Sequence, residues 1–223
     1  MNALQLFYSN DLLEVGDSLS TGFGAGTVSV TLALEQLIVA QILAAQAPTP
    51  GAPFMPSPAS KAPQLFQFAA PGRTTVQALA LMPTIRATCS TPKKKAIFWL
   101  SVNDALAISN GTETLIHVDG RPDFSSAMLG CVDDLRNNWG MPYSDMLWVK
   151  PWALNGGAAA AIAQVEAQID VLAALRPGLN TTGILSDIPF TVPTFSPDGI
   201  HPNTITGPLL AGRAMASINL VAN

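Results

Sequence analysis

The chain has 223 residues, 48% of them hydrophobic and only 12% charged, with a net charge of −4. Domains usually hold about 100–200 residues, so one large domain with a sizeable core is expected over residues 1–223. The charged share is about half the usual one, which argues against disorder, and the negative balance argues against a nucleic-acid partner. Leu12–Val15 reads as a short strand ending at Gly16. Val28–Ala47 reads as a helix; Glu35, Gln36 and Gln41 interrupt its apolar run, so it suits a buried core position better than a membrane span. Ala47–Pro63 is Pro-rich and fits neither helix nor central strand. Gln64–Ala69 is a second strand, and Thr74–Met82 a short helix stopped by Pro83. Lys93–Lys95 is expected to be a solvated turn leading into the strongest strand, Ala96–Val102. Ala105–Phe124 is a strand-to-helix connection carrying His117. Ser125–Trp139 is a helix with Met128, Leu129, Val132 and Leu135 at helical spacing, ended by Gly140. Asp145–Lys150 is a strand closed by Pro151, and Gly157–Leu175 an Ala-rich helix before Pro177-Gly178. Gly183–Ile188 completes the strands, and Asn203–Leu220 is the last helix.

Strands separated by helices imply parallel βαβ units and a sheet covered on both faces. That accounts for the low charge, since only outer helix faces need it. In such sheets ligands bind at the carboxyl ends of the strands. The Pro-rich loop 47–63 joins a helix to a strand and so belongs at the opposite end, as a semi-rigid connection or a docking loop.

Four short segments fall where chemistry is done. Gly16-Asp17-Ser18-Leu19-Ser20 puts a serine immediately after a strand, with Gly16 allowing a tight turn. Pro71-Gly72-Arg73-Thr74-Thr75 follows the second strand, and Gly72 lets a backbone N–H approach a ligand closely. Ser101-Val102-Asn103-Asp104 ends the third strand with an amide able to donate to an oxyanion. Asp198-Gly199-Ile200-His201 precedes the last helix, where a carboxylate and an imidazole three residues apart fit one turn. A serine, a base and a carboxylate that orients the base make an activated nucleophile. Each segment alone has an ordinary structural explanation; their order and placement carry the weight.

That conjunction resembles the SGNH hydrolases, the GDSL esterase/lipase family, from Leu12 to about Leu220. The resemblance implies a catalytic triad of Ser18, His201 and Asp198. It implies an oxyanion hole made by the backbone N–H groups of Ser18 and Gly72 and the side chain of Asn103. It implies ester hydrolysis through an acyl-enzyme. One position departs from the pattern: the third block usually opens with Gly, and this chain has Ser101. The serine lies near the start of the chain and outside any Gly-x-Ser-x-Gly pentapeptide, unlike the ordinary α/β-hydrolases. The expected architecture is a three-layer α/β/α sandwich, flavodoxin-like, with five parallel strands in the order 2-1-3-4-5.

The expected activity is that of a serine esterase acting on short-chain, for example acetyl, esters, with an O-acetylated carbohydrate as one substrate class. A lysophospholipase or thioesterase is the alternative, as is a structural component of a larger assembly such as a virion with an auxiliary esterase site. Trp152, Phe190, Phe195 and Ile200 are candidates for a substrate wall, with core packing as the other reading. Pro189, Pro193 and Pro197 stiffen the segment before His201. Asp17 and Asp104 flank the nucleophile and the oxyanion donor, either tuning their electrostatics or shaping their turns. No cofactor or metal is expected, because the two His and two Cys are far apart without ligand spacing. Gly22-x-Gly24-x-Gly26 lacks the dinucleotide-binding spacing. Cys89 and Cys131 allow one bridge at most. Met1–Asp11 lacks a secretory signal, which points to a protein working inside the cell or in a larger particle, to a mature form, or to export by another route. Asn110-Gly111-Thr112 and Asn180-Thr181-Thr182 match the glycosylation sequon without such a signal to support them.

Overall fold

The computed structural model describes residues 12–21, 29–30, 32–34, 36–37, 65–89, 91–152, 158–182, 196, 198 and 200–218. The Pro-rich loop 47–63, the Gly22–Gly26 stretch, Phe190, Phe195 and the prolines at 189, 193 and 197 lie outside them, as does most of the helix expected over Val28–Ala47. Of that helix, residues 30, 32–34 and 36–37 are helical, with Val30, Ala33 and Leu34 buried.

The sheet has five strands in the order β2-β1-β3-β4-β5, all parallel. In chain order the elements are β1 (Leu12–Gly16), α1 (Ser18–Thr21), β2 (Leu65–Ala69), α2 (Thr75–Thr88), β3 (Lys95–Trp99), α3 (Val102–Ser109), α4 (Phe124–Trp139), β4 (Met146–Val149), α5 (Ala159–Ala174), β5 (Asn180–Thr182) and α6 (Thr206–Ser217). Helices cover both faces, so central strands carry unbroken buried runs: every residue of β1 and β4 is buried, as are Ala96–Trp99 of β3. Phe98 of β3 stacks on Trp148 of β4 with ring centroids 4.7 Å apart, and Phe124 at the start of α4 meets Trp148 edge-on. The low charge is thus explained by a sheet with two dry faces.

The register decides where the site forms. Gly16 lies opposite Ala69 on one side and Trp99 on the other. The turns after β1, β2 and β3 therefore leave the sheet at one level. The ladder continues past the strands, with Asp17 N–H donating to Trp99 O at 3.1 Å and Ala70 N–H to Gly16 O at 3.2 Å.

Three local expectations need correction, and a fourth is added to. α2 runs through Pro83 to Thr88 instead of stopping there. Met82 and Ile85 are both fully buried, so packing holds the last turn despite the missing N–H, and Arg86 adds an ion pair to Asp134 of α4. The third strand ends at Trp99, and residues 102–109 of the expected strand and connection form α3. The fifth strand is Asn180–Thr182, directly after the Pro177-Gly178 turn, while the expected Gly183–Ile188 lies outside the described residues. Its polar Asn-Thr-Thr sequence suits an edge and shows no apolar run. Lys93–Lys95 is not a simple solvated turn. Lys93 is 2% exposed with its ammonium 3.5 Å from the centre of the Phe66 ring, and Lys95 donates to Asp145 and to Ile218 O.

Candidate active site

Ser18 is the first residue of α1, two residues beyond the end of β1 and half-buried. The turn that carries it is tight. A Cβ at residue 16 would collide with Ser20 Oγ and sit 3.4 Å from Trp99 Cβ, so only glycine fits there. Asp17, fully buried, closes the turn by accepting the Leu19 N–H on Oδ1 at 2.9 Å.

His201 arrives from the other end of the chain, just ahead of α6. Asn203 Oδ1 accepts from the N–H groups of Ile205 and Thr206, so this approach to α6 is capped by a side chain. His201 Nε2 lies 2.8 Å from Ser18 Oγ, and Nδ1 lies 2.6 Å from Asp198 Oδ2. The other Asp198 oxygen accepts the backbone N–H groups of Ile200 and His201 at 2.9 and 2.8 Å. Burial raises the Asp198 carboxyl pKa, but the His201 backbone N–H, its ring and the Ile200 N–H outweigh this and bring it down to about 2. Asp198 is therefore ionised at neutral pH and can only accept hydrogen bonds. That puts the proton of a neutral His201 on Nδ1 and leaves Nε2 with a lone pair facing the Ser18 hydroxyl.

The second and third turns meet at Asn103. Gly72 has a φ of 75°, in the left-handed region, with open space where a Cβ would be. The next residue, Arg73, is anchored by its guanidinium on Phe68 O at 2.6 Å. Its backbone carbonyl accepts from Asn103 Nδ2 at 3.2 Å. The same Nδ2 donates to Asp17 Oδ2 at 3.0 Å. The structure thus brings Ser18, Asp198 and His201 into one hydrogen-bonded chain, and places Asn103 between the turns that carry Ser18 and Gly72.

Asp104, also fully buried, ties α3 to α2. Its Oδ1 accepts Thr75 N–H at 2.8 Å, and its Oδ2 accepts Thr75 Oγ1 at 2.9 Å and Ser101 N–H at 3.1 Å. Burial pushes both Asp17 and Asp104 up to about 7, against the pull of the hydrogen bonds they accept. Both carboxylates shape turns through these bonds.

Ser101, the departure from the family pattern, adopts φ 88°, left-handed and rare outside glycine. Its buried Oγ accepts from Trp148 Nε1 at 2.9 Å. The side chain that makes the conformation costly therefore satisfies a buried indole N–H on β4. The sequence carries no signal for this bond, which joins residues 47 positions apart.

Trp152 is 4% exposed within the core cluster, and Ile200 is partly buried against that cluster. His117 is exposed, with Nδ1 3.5 Å from Asp123, the cap of α4. Cys89 and Cys131 are buried with no disulfide joining them, and burial raises the Cys131 thiol far above its ordinary value. Among the described residues there is no cluster of three or more His, Cys, Asp or Glu fit to hold a metal ion. None of their helices is long and apolar enough to cross a membrane.

A five-stranded parallel sheet in this order, with helices on both sides, matches the α/β fold of solved esterases and lipases. Solved structures share it across almost the whole chain. The psychrotrophic esterase EstA from Pseudoalteromonas sp. matches with a TM-score of 0.65 at 16% identity, over 94% of this chain and 97% of its own. A member of the lipolytic G-D-S-L family from Veillonella parvula matches with a TM-score of 0.62 at 14% identity, over 95% and 99%. An acetyl xylan esterase from Geobacillus stearothermophilus matches with a TM-score of 0.64 at 13% identity, over 96% of each chain. No protein-family model and no curated protein matches the sequence.

Proposed function

We propose that the protein is a carboxylic ester hydrolase in which Ser18 is the nucleophile, His201 the general base and Asp198 the group that orients it. The observation carrying this reading is the unbroken chain from Ser18 Oγ through His201 to Asp198, with bonds of 2.8 and 2.6 Å. Ser18 Oγ attacks the ester carbonyl while His201 Nε2 takes its proton, and Asp198 stabilises the imidazolium. The carbonyl oxygen becomes an oxyanion held by the N–H groups of Ser18 and Gly72 and by Asn103 Nδ2. His201 then protonates the leaving alcohol, giving an acyl-Ser18 ester. Water, deprotonated by His201, attacks that ester and returns the free acid and Ser18. The chemistry uses only these side chains and backbone groups.

Short acyl groups, acetyl above all, are the proposed substrates, with O-acetylated carbohydrates as a natural class. Support comes from likeness in fold to solved acetyl xylan esterases. The test is a series of p-nitrophenyl esters of rising acyl length, with acetylated xylan and lysolipid beside them. Acetate is expected to turn over fastest, and Ser18→Ala to abolish turnover with an unchanged melting temperature. Full activity in Ser18→Ala would overturn the nucleophile assignment. A preference for long acyl chains or lysolipid would replace the acetyl esterase with a lipid hydrolase.

A further inference from the structure

An asparagine amide nitrogen carries two hydrogens, and rotation about its last torsion is loosely restrained by the side chain itself. Something outside Asn103 must therefore aim it. Its Nδ2 has two acceptors here, of different kinds. Asp17 Oδ2, at 3.0 Å, belongs to a fully buried carboxyl group whose other oxygen is fixed by the Leu19 N–H. Arg73 O, at 3.2 Å, is a neutral backbone carbonyl in the half-buried stretch after Gly72. Above about pH 7, where Asp17 is ionised, a bond to its carboxylate is about twice as strong as one to a neutral carbonyl. A developing oxyanion competes well for the hydrogen resting on Arg73 O. It competes poorly for the one on Asp17, where it would also meet like charge.

Resting on the reading of Asn103 as an oxyanion donor, we propose that Asp17 is a positioning residue: it fixes one Asn103 amide hydrogen, so that the other passes from Arg73 O to the oxyanion. One carboxyl group thereby couples the turn that carries the nucleophile to the side chain that stabilises the charge it creates. Asp17 touches neither substrate nor reacting atoms and acts only through these two neighbours.

The test is a double-mutant cycle read in kcat and KM on p-nitrophenyl acetate. Asp17→Ser leaves a short hydroxyl that can still accept the Leu19 N–H in a local turn but cannot reach Asn103. Asn103→Ala alone is expected to lower kcat by about 10²–10³-fold with KM little changed. Asp17→Ser is expected to lower kcat by about tenfold or more, with KM within about twofold, and to add less than about twofold in the Asn103→Ala background. Asp17→Asn is isosteric and serves if the smaller residue disturbs the fold; its single amide oxygen cannot serve both donors, so the same confinement of the loss is expected. Equal losses from an Asp17 substitution with and without Asn103 would overturn the proposal, since a general structural role adds independently. So would unchanged kcat in both Asp17 variants. If Asn103→Ala itself retains full kcat, the oxyanion reading fails and takes this proposal with it. If Asn103→Ala loses kcat and the Asp17 variants do not, only the positioning role fails.

Discussion

Residue 16 shows how much of the site rests on a missing side chain. A Cβ there meets Ser20 Oγ, in the same turn as the nucleophile. Gly16→Ala is therefore expected to push the Ser18 turn off the sheet. Overpacking of this kind costs about 1–3 kcal/mol, measurable as a lower midpoint in urea. Ester hydrolysis should fall more steeply than stability, because the Ser18–His201 bond depends on that turn. A variant that keeps both would show that the turn has room the geometry denies it. At this scale motif order nominates the site: Gly16, Ser18 and Asn103 follow strands, Asp198 and His201 precede the last helix, and Ser18, Asp198 and His201 meet in one hydrogen-bonded chain. Asp17 was visible only as a choice between two readings. Ser101 and Trp148 were not paired at all, since their bond crosses from one strand end to another and follows no period.

At the scale of elements, α2 is the clearest case of packing overriding local preference. It starts as its sequence asks, with Thr74 and Gln77 forming a reciprocal cap. It then continues through Pro83, where the helix loses the bond to Leu79 O. The expectation of a stop at Pro83 used propensity alone. Met82 and Ile85 on the buried side, and Arg86 paired with Asp134, supply what propensity withholds. Pro83 itself is exposed. Pro83→Ala should restore the missing bond at a solvent-facing position without altering the core. An interior proline costs about 3 kcal/mol against alanine, partly offset by about 0.4–1 kcal/mol through the stiffer unfolded chain. A gain of about 2 kcal/mol is expected in denaturant titration, with activity unchanged. Loss of stability would mean that the last turn of α2 is held in a shape only proline favours. The described segment of the last strand is a different case. Asn180–Thr182 is polar and three residues long, so no hydrophobic pattern marks it; its partner β4 and the preceding turn define it.

Across the whole molecule, the scarcity of charge makes the few buried carboxyl groups decisive for how stability varies with pH. Asp17 and Asp104 lie fully buried beneath the candidate site, and burial raises both to about 7. Asp104 also faces Glu113, itself raised by burial, while Cys131 and Asp17 feel the Asp104 charge. In the unfolded chain an aspartate titrates near about 3.9. A group raised on folding contributes stability that is full below its unfolded pKa and is lost as pH rises through the folded one. Asp198 has the opposite sign: held at about 2, it contributes at neutral pH and loses that contribution only as pH falls from the unfolded value toward 2. The two effects together place the most stable range in mildly acid solution. Asp104→Asn separates them. The amide cannot ionise, and its single oxygen replaces a carboxyl group that meets three donors. The variant should melt below the parent at about pH 5, where the parent's carboxyl is protonated and uncharged when folded. The gap should narrow toward about pH 8, where the parent holds a buried charge and the variant does not. Melting curves of both proteins across that range decide the matter: parallel curves would mean that the Asp104 carboxyl keeps an ordinary pKa in the folded protein. Asp198→Asn is the control, with its effect on the melting temperature shrinking only below about pH 4.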